Sequence, residues 1–163
     1  MKIGTIVMYN GQLCKIMEVS ERSFFSGQVP TLYYTIAPVD REEDSFYVTA
    51  KQAMEKCRPL LTEREIEIMR VHTAGKSLPW IGERYERSRY FTEILQKGDP
   101  EQLILLIRCL LDRKAYLASI KKKLTSTDEK ILSIAEKRID EEFSYVLKLP
   151  HGELMEYFTK ENG

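Results

Sequence analysis

Histidine occurs only twice in this chain, cysteine three times and tryptophan once. Cys14, Cys57 and Cys109 lie far apart, are odd in number and form no Cys-x-x-Cys pair, so no zinc site is built from them with His72 and His151. Each sits in an apolar or strand-like stretch, which predicts buried free thiols in a reducing compartment. The eight glycines are scattered, and neither a Gly-rich phosphate cradle nor a Gly-x-Ser-x-Gly elbow occurs. Net charge is absent as well. The 25 Lys and Arg balance 25 Asp and Glu, so no global field steers the protein to nucleic acid or anionic lipid. Long apolar runs are missing: LILLIRCLL at 103–111 is short and broken by Arg108, below the length that spans a bilayer. The N-terminal MKIGTIVMYN lacks the apolar stretch of a signal peptide. These absences predict a cytoplasmic protein with no membrane partner, metal or cofactor.

Catalytic signatures are equally scarce. His72 and His151 lie in different segments without an Asp or Ser at recognisable spacing, so exposed or capping roles are the reading for both. Glu42-Glu43 and Glu141-Glu142 are the only acid–base candidates of note. The first pair reads as loop solubility and the second as a solvated helix face. The chain is expected not to be an enzyme; catalysis would need residues that carry no local signature.

What is present changes period near residue 60, giving two domains, 1–60 and 61–163. The first half reads as β. Two apolar runs flank Asn10-Gly11, the dipeptide that most favours a tight hairpin because both residues tolerate positive φ. Tyr33 to Ile36, SFYVTA at 45–50 and CRPLL at 57–61 supply three more short strands, Pro59 marking the last as an edge or an end. Five strands in so short a span predict a small, strongly curved antiparallel sheet or half-barrel.

From Thr62 the period is helical. Thr62-Glu63-Arg64-Glu65 is a capping box opening a helix with Ile66, Met69 and Ile68 on one face and an end near Gly75. Tyr85, Ser88, Phe91, Ile94 and Leu95 follow helical spacing. Gly98-Asp99-Pro100 closes that helix and starts the next, whose broad apolar face (Leu103, Leu106, Ile107, Leu110, Leu111) makes it central. Ser126-Thr127-Asp128-Glu129 reads as a second capping box, and Pro150 precedes a short last helix with Leu154, Met155, Tyr157 and Phe158. The fold class is α+β: a small antiparallel β module followed by a four- to five-helix bundle.

Charge is unevenly spread. Residues 76–130 carry twelve basic and eight acidic side chains, whereas 131–163 carry four and seven. Arg84, Arg87 and Arg89 follow Trp80, and Arg113, Lys114 and Lys121 to Lys123 close the long helix. Cations in a last helical turn complement its dipole, and Glu83, Glu86 and Glu93 stand at pairing distance from Arg87, Arg89 and Lys97. Solvated helix faces and phosphate contacts are both open readings; a local excess this small supports only weak, salt-dependent DNA binding. Trp80, between Pro79 and Ile81, is either a core residue or an apolar wedge of the kind that unstacks a base step from the minor groove.

The ordered set is more specific than any part of it. Ile-Gly-x-x-Val-x-Tyr at the start, the Tyr33-Tyr34 strand, Arg58-Pro59-Leu60-Leu61-Thr62, Trp80 with its basic helix, Lys97-Gly98-Asp99, Ile107 to Arg113, Leu124 to Leu132 and Glu141-Glu142-Phe143 together resemble the CarD/CdnL family of bacterial transcription regulators, over about residues 2 to 148. This chain has Gly4-Thr5 where the family often has Gly-Asp, and it interleaves Glu83 and Glu86 among the arginines.

The resemblance implies a Tudor-like N-terminal module, shared with transcription–repair coupling factors, that binds the β subunit of RNA polymerase. It also implies a helical domain that contacts promoter DNA next to the −10 element and stabilises the open complex without enzymatic activity. In that picture Trp80 matches the minor-groove wedge, Arg84, Arg87 and Arg89 the basic residues after it, and Lys130 the basic residue of the later helix. Arg22, Phe24 and Tyr47 match the polymerase-binding patch, through strand-edge pairing and a side-chain anchor. Strand alternation by itself predicts that Phe24 or Phe25 faces the core. The remaining expectations are a monomer and, as the alternative function, an adaptor whose helical domain binds another protein rather than DNA.

Overall fold

The computed structural model describes residues 1–150 and 152–159, the side chains of Met155 and Thr159 excepted. The role read for His151, and the core position read for Met155, lie outside the described residues. The chain is α+β and separates into two compact units, one of Met1–Leu61 and one beginning at Thr62.

The first unit is an open five-stranded antiparallel sheet, made of β1 (Ile6–Tyr9), β2 (Gln12–Arg22), β3 (Thr31–Pro38), β4 (Phe46–Thr49) and β5 (Cys57–Pro59). Its order is β4-β3-β2-β1-β5. Asn10 and Gly11, at φ 48° and 78°, make the two-residue turn between β1 and β2, since both must enter the left-handed region that matches strand twist. β5 pairs only with β1, and Pro59 ends it at the sheet edge, where a missing N–H does least harm. Val7, Cys14, Ile16, Ile36, Val48 and Ala53 form the core, with Val19 and Tyr34 packed against it. A register shift between Ile16 and Glu18 explains why the inward positions of β2 change from even (Cys14, Ile16) to odd (Val19). The extra residue reverses the alternation beyond it.

Helix α1 (Ala50–Lys56) is not anticipated by the hydrophobic pattern. It begins with a full capping box: Gln52 N–H donates to Thr49 Oγ1 and Thr49 N–H to Gln52 Oε1. The Thr-x-x-Gln spacing was the available signal.

The second unit holds α2 (Glu63–Thr73), α3 (Arg84–Lys97), α4 (Pro100–Ser119), α5 (Ser126–Leu147) and α6 (Leu154–Thr159). Thr62 and Glu65 cap α2 reciprocally at 3.1 Å. Gly98, at φ 68°, closes α3, and Asp99 accepts from Gln102 N–H to open α4. α4 is central: Leu103, Ile104, Leu106, Ile107, Cys109 and Leu110 are all buried. Burial of six such side chains, at about 25 cal/mol per Å² removed from water, is the main force holding the unit together. Arg108 on the same helix donates to the carbonyls of Thr73, Lys76 and Phe158, satisfying helix-end acceptors. Arg138 of α5 does the same for Leu95 of α3.

Four expectations are corrected. Tyr85 is exposed and Arg87 takes the inward place on α3 with Phe91, Ile94 and Leu95. Ile68 is exposed, unlike Ile66. α5 is capped by Thr125, whose hydroxyl accepts from Asp128 N–H, so Ser126 is already helical and Asp128 takes the third helical position, its carboxylate held by Arg87. Glu142 is buried, because it lies on the same α5 stripe as Ile131, Ala135 and Ile139, and is no solvated residue.

Candidate functional site

Trp80 lies half-buried in the segment between α2 and α3. Two guanidinium groups lie against its indole: Arg87 Cζ is 4.4 Å and Arg113 Cζ 4.8 Å from the ring centroid. Both are within cation–π range. The loop is held from below by Arg87, which donates through Nη1 to the carbonyls of Ile81 (3.0 Å) and Gly82 (3.3 Å). The same side chain makes a two-pronged pair with Asp128, Nε to Oδ1 at 3.2 Å and Nη2 to Oδ2 at 2.9 Å. Arg87 and Asp128 are 5% and 2% exposed. One buried arginine therefore ties together the Trp80 loop, α3 and the start of α5.

This corrects the reading of Arg87 as a phosphate contact: its donors are engaged inside the protein. Arg84, Arg89 and Lys130 are exposed. Arg89 follows Arg87 by two residues and Lys130 follows Asp128 by two, so each is turned roughly 200° about its helix from the buried pair. Trp80 and Arg87 are brought together; Arg89 and Lys130 point away from that pair. Glu83, set among these arginines, has a structural task. It caps α3, Oε1 accepting from Tyr85 N–H (3.1 Å) and Oε2 from Glu86 N–H (2.6 Å). Those two N–H groups, with smaller help from the Arg87 and Arg89 charges, hold its carboxyl below the usual carboxylate range.

Arg113 sits near the end of α4, where a cation needs no explanation beyond the helix dipole. Nothing local in the sequence marks it. In the structure it touches Trp80 and also lies 4.8 Å from the Tyr116 ring centroid. Asp128 is equally inconspicuous, since it lies inside the Ser126–Glu129 capping pattern.

On the first unit, Arg22, Phe24 and Tyr47 converge. Arg22 Cζ is 4.9 Å from the Tyr47 ring centroid. The Phe24 ring meets Tyr47 at 5.1 Å and Tyr33 edge-on at 4.9 Å. The reversed alternation on β2 puts Arg22 on the face away from the core, where it also bonds Ser20 and Glu18. Phe24 is 51% and Phe25 67% exposed, so the expectation that one of them faces the core is overturned: β2 ends at Arg22 and strand alternation no longer applies. Gln28 shapes the loop instead, accepting from Phe24 N–H at 2.7 Å and donating to Tyr33 Oη at 3.1 Å. Tyr47 lies on β4, an outer strand of the sheet with one free edge.

The remaining chemistry-bearing groups lie elsewhere. Cys14 and Cys109 are buried and Cys57 half-buried, all as free thiols; burial pushes the Cys57 and Cys109 thiols up, away from the reactive thiolate. His72 is exposed and meets Glu101 of α4. Glu42 pairs with Lys15. Among the described residues no group of three His, Cys, Asp or Glu could hold a metal ion, and no helix is long and apolar enough to cross a membrane. No protein-family model matches the chain, and no curated protein matches its sequence.

Proposed function

We propose that the protein regulates transcription initiation in bacteria by binding the β subunit of RNA polymerase and touching promoter DNA beside the −10 element, stabilising the open complex without catalysis. The observation that carries this reading is the state of Trp80. A half-buried indole held against two guanidiniums, one of them (Arg87) locked in a buried ion pair with Asp128, is an ordered apolar surface with cations beside it. Such a surface suits an opened base step, whose unstacking costs on the order of a few kcal/mol and must be offset by flanking contacts.

In this reading the first unit is a Tudor-like half-barrel and the second a helical DNA-binding bundle, acting as a cytoplasmic monomer with no cofactor. Arg22, Phe24 and Tyr47 form the polymerase anchor: a central aromatic flanked by an arginine beside a free strand edge is the composition of an interface hot spot. Arg84, at the start of α3, is the exposed cation closest in helical angle to Arg87 and supports the wedge. Arg89 and Lys130 belong to the reading only if DNA extends across the far sides of α3 and α5.

The test is a pull-down of the full-length protein with the polymerase β-subunit lobe, followed by open-complex lifetimes with and without Trp80→Ala. Binding at micromolar concentration and a lifetime gain lost in the variant are the expected results. No binding to the lobe would sink the proposal. A second reading has its own observation: Ile68 and Val71 are 58% and 50% exposed on α2, apolar surface that an adaptor would present to another protein. It predicts lobe binding with an open-complex lifetime indifferent to Trp80→Ala.

A further inference from the structure

Four arginines stand in or near the Trp80 loop, and they differ in what occupies them. Arg87 spends its donors on Asp128, Ile81 and Gly82. Arg84 and Arg89 are exposed on α3. Arg113 is the exception. Its guanidinium lies against Trp80 and Tyr116, 4.8 Å from each ring centroid. Its Nε is buried without a hydrogen-bond partner. Among the described residues no carboxylate, carbonyl or hydroxyl accepts from it; neighbouring Lys114 takes Glu129 instead, at 3.5 Å. Tyr116 is 52% exposed and Trp80 half-buried, so this ordered cation stands beside two aromatic surfaces that solvent reaches.

An arginine fixed by stacking rather than by a carboxylate keeps its full positive charge, and its terminal Nη donors, for an outside acceptor. The stacking also lowers the entropy lost when that acceptor binds, because the side chain is already ordered. The fitting acceptor is a tetrahedral oxyanion attached to a flat apolar group, which is the chemistry of a nucleotide: phosphodiester for the guanidinium, base or sugar for the aromatic faces.

We infer that Arg113, with Tyr116 extending the Trp80 surface, is the phosphodiester contact that accompanies Trp80 on DNA, in the place the family resemblance implies for Arg87. This rests on the reading of the Trp80 surface as a DNA-binding one.

The test is a salt series of binding isotherms for the full-length protein on a short duplex with a forked, partly unpaired end, read by the fluorescence of Trp80, the only tryptophan. Neutralising one phosphate contact lowers the slope of log K against log salt by about 0.9 on duplex DNA. Arg113→Gln is expected to lose that amount, and Arg113→Lys, which keeps the charge but not the planar stack, to keep the slope while binding more weakly. Circular dichroism of both variants checks that they fold, and Arg113→Lys carries the test if Arg113→Gln does not. Wild-type slope in Arg113→Gln, or wild-type affinity in Arg113→Lys, overturns the assignment of Arg113 and leaves the Trp80 surface as a DNA site. Absence of any wild-type binding down to low salt overturns the DNA reading itself, and this inference with it.

Discussion

Arg87 and Asp128 show how one residue pair sets the state of another. Taking both charges out of water costs several kcal/mol each, and the two-pronged geometry with two further carbonyl acceptors offsets that cost. Breaking such a pair from one side leaves a buried charge alone. Arg87→Ala is therefore expected to destabilise the second unit by about 3–5 kcal/mol, measured by denaturant unfolding with Trp80 fluorescence. Asp128→Asn keeps a hydrogen-bonding group and is expected to lose less. At Phe24 the opposite holds: the ring is exposed and contributes little to folding. Phe24→Ala is expected to leave the unfolding midpoint unchanged while weakening capture of the polymerase β lobe by about 2 kcal/mol or more, the scale of a hot-spot side chain. Equal capture by variant and wild type would remove Phe24 from the interface.

Elements were legible where their signals were local. The Asn10-Gly11 turn, the Thr62 box and Gly98-Asp99-Pro100 all work through groups within four residues of one another, so the chain itself announces them. α1 carried the same kind of signal in Thr49 and Gln52, but its residues lack an amphipathic stripe to draw notice. The start of α5 was displaced by one residue because Thr125, Ser126 and Thr127 can all cap, and Arg87, far away in sequence, decides where Asp128 must point. α6 is fastened by Tyr157, whose hydroxyl donates to Glu67 Oε2 at 2.5 Å while Arg70 bonds the same carboxylate. These bonds, Arg70 first, lower the Glu67 pKa to about 2. A folded-state value below the unfolded one means the contribution is complete above about pH 4.3, the ordinary carboxylate value, and disappears as pH falls through about 2. The exchange protection of the α6 amides, taken relative to the intrinsic rate at each pH, is expected to fall over that window, and Tyr157→Phe to reduce the fall; an unchanged profile in the variant would show that Glu67 does not fasten the helix.

At the scale of the whole molecule, each unit has its own core and presents its own surface: an aromatic and arginine patch on the first, the Trp80 cluster on the second. In the proposed function this division is an advantage, since tethering turns the second contact into an intramolecular one. The prediction that follows concerns both surfaces together. In an open-complex lifetime assay, Trp80→Ala is expected to remove the effect at any protein concentration, whereas Phe24→Ala is expected to be overcome by adding more protein. If raising the concentration rescues both variants alike, the two surfaces do not have separate tasks.

The amino-acid sequence alone determined the change from a period of two to a period of 3.6 near residue 60, the hairpin turn and most of the helix caps. All of these depend on neighbours along the chain, where backbone sterics and short-range hydrogen bonds act. Only the tertiary structure decided which arginine is buried, which aromatic ring is exposed, and that Arg113 meets Trp80. Those outcomes depend on the rotation of one helix against another and on an extra residue in β2. Such shifts turn a side chain from solvent to core without altering any local pattern. The burial of Trp80 is set in the same way, by contacts distant in sequence. It is half-buried because Arg87 holds its loop through the Ile81 and Gly82 carbonyls and Arg113 of α4 lies against its ring.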